Sequence, residues 1–235
     1  MVAEKELNAL VNDLKRDAGT NLVSVVLYGS AASEEFHQDY SDVNVLGIVR
    51  VLDAPALKQL AAAVKSWTRH KHPAPLFFRR DELEQAADVF AIEMLDIQQQ
   101  HRILFGEDIF QSMKVPMARH RIQLEHELRT KLLFLRQRAL AASDDKSLVR
   151  LMLDGVSSFT SLFRHVLITM QEKPPKSKIE VVEALAKKTG FDTKAFQDLI
   201  QVREHRMEAG ALDAGATLSG MLQGIEKAVQ AVDAL

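Results

Sequence analysis

The chain has no cysteine, which excludes disulfides, zinc–thiolate centres and thiol nucleophiles together. That absence agrees with a reducing compartment. A surplus of either charge is missing too: 30 Lys and Arg stand against 32 Asp and Glu, a formal net charge of -2. There is no bulk field to hold a nucleic acid. Long apolar runs are also lacking. The first residues, MVAEKELNALVNDLKRDAG, carry acids and bases through their apolar positions, unlike the core of a signal peptide. The most apolar stretch, residues 147–171, is interrupted by Asp154, Arg164 and His165, against a membrane span. No internal repeat and no low-complexity tract is found. These absences lead to the expectation of a cytoplasmic protein with no membrane association.

What is present falls into two textures, and 235 residues are enough for two modest domains or for one with a large appendage. Leu7, Leu10, Val11 and Leu14 recur at helical spacing before Gly19. LVSVVLY, residues 22–28, is β-branched, short and broken by Gly29, the pattern of a buried strand. Ser30 suits the cap of a short helix over about residues 31–37, and DVNVLGIVRV reads as a second strand. Pro55 opens a helix whose apolar residues Leu57, Leu60, Ala61, Val64 and Trp67 recur at threes and fours. Pro73 and Pro75 end it, and PLFFRR is a third short strand.

From Asp81 onward the strand signal fades and the chain reads as helical. One or two helices fit residues 81–104, ending near Gly106, and Pro116 interrupts the next segment. A helix over about 118–142 places Leu128, Leu132 and Leu135 on one face, and residues 147–171, apolar nearly all round, suit the centre of a bundle. Ser177 with Glu180 forms a capping-box signature, Gly190 stops that helix, and two more fit about 192–209 and 216–234. The expected fold class is therefore α+β: a small mixed β-sheet N-terminal domain, residues 1–114, followed by an all-α helical bundle, residues 115–235.

The chemistry concentrates in LYGSAASEEFHQDYSDVNV, residues 27–45. Strand, Gly29-Ser30, eleven intervening residues, then Asp42-Val43-Asn44 at the head of the next strand resembles the nucleotidyltransferase superfamily. Its signature is an apolar residue, Gly, Gly or Ser, a spacer, then Asp, apolar, Asp or Glu. The likeness is to the minimal nucleotidyltransferases and the antibiotic-modifying adenylyltransferases, which carry a helical bundle after a small sheet. It covers about residues 20–50 specifically and the rest only by the order sheet-then-bundle. The resemblance implies magnesium with a nucleoside triphosphate. Two divalent ions hold the attacking and leaving oxygens in line, and hard oxygen ligands at alternate strand positions form their cradle. On that pattern Asp42 is the catalytic metal ligand, while Gly29, Ser30 and Asn44 line the nucleotide.

The pattern is incomplete. Asn44 keeps an amide oxygen but no charge, PLFFRR offers no acid before Asp81 and Glu82, and the Arg-Gly usual after the Gly-Ser pair is replaced by AASEEF. Two of three expected carboxylates are missing, so the nucleotidyltransferase-like domain reads as one with a degenerate metal site, its enzyme status open. Each residue also has a plainer role: Gly29-Ser30 as a capped turn, Asp42 as a turn acid, Asn44 as a structural amide, Arg79 as a solvated edge-strand base rather than a phosphate binder.

Elsewhere, RHKH at residues 69–72 suits a helix C-terminus. Arg121 with His126 has the spacing of HEPN-type ribonucleases but falls in an early helix, and REHR, residues 203–206, has the wrong spacing; both read as chance. Three functions follow from the resemblance. One is an impaired protein acting by nucleotide or protein-partner binding. Another is an active magnesium-dependent transferase with Asp42 as metal ligand and a base from the bundle, Glu93 or Asp96. The third is an antitoxin-like interaction module.

Overall fold

The computed structural model describes residues 2–32 and 42–235. Two compact units divide the chain, Met1–Met117 and Ala118–Leu235.

The first unit is built on a four-stranded mixed sheet of order β3-β2-β1-β4. Its strands are β1 (Leu22–Tyr28), β2 (Asn44–Val49), β3 (Leu76–Arg79) and β4 (His101–Gly106). β1 is antiparallel to both β2 and β4, and β2 runs parallel to β3. Helices α1 (Val2–Ala18) and α2 (Ala54–Thr68) cover one face. Leu7, Leu10, Leu14, Leu60 and Trp67 there meet Val25, Leu27, Val43 and Val45. Helices α3 (Arg80–Ala86) and α4 (Ala91–Gln99) cover the other, where Leu83, Met94 and Ile97 meet Val26, Leu46 and Ile48. A sheet buried on both faces explains why LVSVVLY is a continuous apolar run rather than an alternating one.

Apart from the helix expected over 31–37, which lies mostly outside the described residues, the N-terminal order of elements agrees with the sequence pattern up to β3, and the Asp53 side chain accepts from Ala56 N–H at 2.9 Å at the start of α2. The buried face of α2 is shifted, however. Ala56, Leu60, Ala63 and Trp67 are buried, while Leu57 is 52% exposed. The larger correction is β4. Residues 101–106, expected as the end of a helix, form the strand that pairs the second edge of β1, from Ser24↔Gly106 to Tyr28↔His101. β1 lies in the sheet interior, and an unpaired row of N–H and C=O groups there would cost more than HRILFG gains as helix.

The second unit is all helical among its described residues: α5 (His120–Leu140), α6 (Asp145–Thr169), α7 (Lys178–Thr189), α8 (Lys194–Arg203) and α9 (Ala214–Asp233). α6 packs against each of the other four, as its all-round apolarity requires. Leu124, Leu128, Leu132 and Leu135 form the buried face of α5. Phe163, Phe191 and Phe196 make a ring cluster with centroids 5.0–5.9 Å apart. Gly190 ends α7, and α8 stops at Arg203, short of the expected 209.

Two buried histidines, separated by 45 positions, share a hydrogen bond of 2.9 Å between His120 Nε2 and His165 Nδ1. Thr169 donates its hydroxyl to the His165 carbonyl at 2.8 Å and lies 3.3 Å from His120 Nδ1. With the hydroxyl proton committed, His120 Nδ1 is the donor to Thr169. In a neutral ring Nε2 is then the acceptor, so His165 Nδ1–H donates to it. Among the described residues no helix is long and apolar enough to cross a membrane.

Gly106 is where the edge pairing admits no side chain. Its φ is +81°, and an added Cβ would lie 2.0 Å from the Val23 carbonyl oxygen. Backbone on both sides of that contact cannot yield as a side chain can. Gly106→Ala is expected to destabilise the first unit by about 3 kcal/mol or more. Urea denaturation followed by Trp67 fluorescence, the chain having one tryptophan, measures it.

Candidate functional site

The candidate site lies at one end of the sheet, where β1 ends and β2 and β4 begin. Tyr28 is the Cα partner of Asn44 on one side and of His101 on the other. Gly29 follows with φ +73°, its N–H donating to the Gln100 carbonyl at 3.2 Å. This positive φ turns the chain sharply out of β1, a conformation glycine adopts without the Cβ penalty. A Cβ at Gly29 would stand 3.6 Å from Asn44 Nδ2, so the glycine and the amide are neighbours. Residues Gly29–Ala32 form a single 3-10 turn with Ser30 inside it. The expected helix over 31–37 falls mostly outside the described residues.

Asp42 is exposed and precedes β2, and Asn44 is its first residue, half-buried. Val43 and Val45 both enter the layer with α1 and α2. Alternation along the strand therefore carries Asp42 and Asn44 to the opposite face, shared with Tyr28 and α4. The site residues expected from the sequence, Gly29, Ser30, Asp42 and Asn44, thus meet at one sheet end.

The neighbouring strand supplies no acid. In the parallel register Leu46 faces Leu76 and Ile48 faces Phe78, so the positions of β3 on the Asn44 face are apolar. Phe77 lies beneath Gly47 on the other face, where an added Cβ would meet its ring at 2.4 Å. Arg79 pairs with Val49, five residues along β2 from Asn44, or about 16 Å at the usual strand rise. Its guanidinium is held by both Asp81 oxygens at 3.0 and 3.2 Å, which raises its pKa and lowers that of the Asp81 carboxyl. Asp81 and Glu82 begin the next helix at that far end and do not replace the missing carboxylate.

Sequence reasoning placed Glu93 and Asp96 in the bundle; both stand on α4 in the first unit. Burial pushes the Tyr28 phenol above its ordinary value, and the negative charge of Glu93 adds to the shift. Tyr28 was the residue missed. It sits inside the quoted motif, but only the cross-strand register shows that it separates Asn44 from His101. His101 itself is fixed, with Nδ1 2.8 Å from the Ile97 carbonyl and Nε2 3.2 Å from Asp108 Oδ1.

The remaining sequence candidates have structural surroundings. His72 lies 2.6 Å from Glu6 and stacks on Trp67 with ring centroids 4.1 Å apart. Arg121 reaches the Val232 carbonyl at 3.4 Å, and Arg203 is buried on the Leu153 carbonyl at 2.6 Å.

Among the described residues the donor set at this sheet end does not complete a two-ion magnesium cradle. One exposed carboxylate stands just before β2 and one amide at its first position, and β3 contributes only apolar side chains to that face. Among the described residues no group of three or more acidic or histidine side chains is placed to hold a metal ion. An amide oxygen does not supply a carboxylate's charge: at 4 Å two unit charges interact by about 1 kcal/mol in water and about 4 kcal/mol at an effective dielectric of 20.

No family model matches the chain, and no curated protein matches it. Among solved structures it is similar to the spectinomycin adenyltransferase AAD(9) from Enterococcus, solved with ATP and spectinomycin. The TM-score is 0.59 over 95% of this chain and 99% of that one, at 12% sequence identity. At that identity the likeness shows the fold: a nucleotidyltransferase-like α+β architecture, a small mixed sheet followed by helices.

The chain has two tyrosines, so Tyr40→Phe leaves Tyr28 as the sole phenol. Its ultraviolet titration is expected to run above the ordinary tyrosine range, and Glu93→Gln to move it down. The folded-state pKa is raised, so the stabilisation is present below the unfolded value, about 10, and is lost as pH rises through the folded value. A Tyr28 titration unaffected by Glu93→Gln would separate the two residues.

Proposed function

We propose that this protein is a nucleotidyltransferase-fold protein whose metal site has degenerated, acting by binding a nucleotide or a protein partner and transferring no nucleotidyl group efficiently. The observation that carries this reading is Asn44 at the head of β2, beside Gly29, where the superfamily pattern calls for a second carboxylate. Leu76 and Phe78 on the neighbouring strand support it, since the third acid has no counterpart there. The likeness to a structure solved with ATP supports a nucleotide as the ligand to test first.

In this reading Gly29 lets the backbone approach the ligand, Ser30 and Asn44 offer polar contacts, and Asp42 is the remaining acid. A magnesium ion, where bound, would supply charge neutralisation of phosphate; the residues present do not complete its ligand set.

Restoring the missing charge tests the reading. Wild-type protein given each nucleoside triphosphate and magnesium is expected to release no pyrophosphate above the buffer rate. Asn44→Asp is expected to gain magnesium-dependent nucleotide affinity by about tenfold or more, on the scale of one recovered charge next to a divalent ion. Pyrophosphate release by the wild type, abolished in Asp42→Ala, would overturn the proposal in favour of an active transferase.

A further inference from the structure

Helix α5 carries apolar residues on two sides. One side, with Leu124, Leu128, Leu132 and Leu135, is buried in the second unit. Ile122, Leu133, Phe134 and Leu140 are left outside: the first three are more than half exposed, and Leu140 is 90% exposed. Single exposed apolar side chains are ordinary on a protein surface, but four on one helix make a patch.

The patch is ordered along the helix. At 3.6 residues per turn, the steps of eleven positions from Ile122 to Leu133 and seven from Leu133 to Leu140 are close to three and two whole turns. These three side chains therefore stand in one line, on a side turned away from the buried leucines, with Phe134 on its shoulder. Ile122 and Leu140 lie five turns apart, equally far from Lys131, and Leu133 is beside that midpoint.

Charge selects the occupant. The cations bordering the line are paired within their own unit: Arg129 with Glu125 and Asp233 at 2.9 and 2.5 Å, and Arg136 with Glu226 at 2.7 Å. Around the helix Arg121 is 3.6 Å from Glu125 and Lys131 is 3.8 Å from Glu127. Arg138, a turn beyond Phe134, flanks the shoulder and not the line. A line so neutralised offers no strong field to an acidic peptide, a basic one or an anionic membrane. A two-fold contact sets each group near its own copy, so it needs a patch without net charge.

We propose that this face of α5 binds a second copy of the chain, the two helices antiparallel across a two-fold axis. Ile122 of one copy packs on Leu140 of the other at both ends, and the two Leu133 side chains meet beside the axis. In this arrangement the positive end of each helix lies by the negative end of its partner. The contact uses residues of the second unit alone, so it stands apart from the nucleotide reading.

Sedimentation equilibrium of the full chain is expected to show a mass rising from that of one chain toward twice that value over about 1–200 µM, a range suited to a contact of one helix face. Leu133→Glu, at an exposed position, is expected to leave the circular dichroism unchanged and to weaken association about tenfold or more. Because the chain has no cysteine, introduced thiols report the orientation. Ile122→Cys and Leu140→Cys chains, mixed and oxidised, are expected to give a disulfide-linked dimer containing one of each. Either variant oxidised alone is expected to give little, since like positions then lie about 27 Å apart at 1.5 Å per residue. A mass that stays at one chain throughout, or a dimer as tight in Leu133→Glu as in the wild type, would overturn the proposal. Equal cross-linking of Ile122→Cys alone would overturn the antiparallel arrangement.

Discussion

Strand β1 carries hydrogen-bond ladders on both edges and apolar side chains on both faces, and the geometry of the candidate site follows from that double commitment. Its antiparallel pairing with β2 puts Tyr28 opposite Asn44. Pairing with β4 puts the same tyrosine opposite His101 and lets Gly29 N–H close onto Gln100. With both edges engaged, β1 cannot slide by one residue without exchanging its two apolar faces, and each face is already matched to its own pair of helices. The Gly-Ser turn is held where the strand ends. Gly106 at the other end is pressed against Val23 by the same pairing, so the register that fixes the turn is set by backbone contact along the whole length of β1.

Much of this was legible in the sequence, because the strongest signals are local. A β-branched run ending at glycine, an Asp-x-Asn at a strand head, a capped helix after Asp53 and the leucine face of α5 each follow from neighbouring residues. Long-range pairing decides the features that were not. HRILFG follows QQQ, which continues a helix readily, and only the need to satisfy the second edge of β1 makes it a strand. The position of Arg79, opposite Val49 and far from Asn44, depends on β3 being parallel to β2, which sequence order does not reveal. Glu93 was read as a base from the bundle although it falls within the residues 1–114 expected for the first domain, and it stands on α4. The His120–His165 pair had no sequence signature, since its members are 45 positions apart.

Backbone and side-chain roles can also be separated at the site. Gly29 serves the turn whatever the ligand, because its positive φ and its contact with Asn44 are properties of the folded strand pair. Asn44 is different. Its backbone belongs to the ladder with Tyr28, but its side chain faces the same way as Asp42, away from the α1 and α2 layer. A residue needed only for the ladder could be almost any β-former there. A polar amide next to a glycine and an exposed acid has the shape of a carboxylate without its charge.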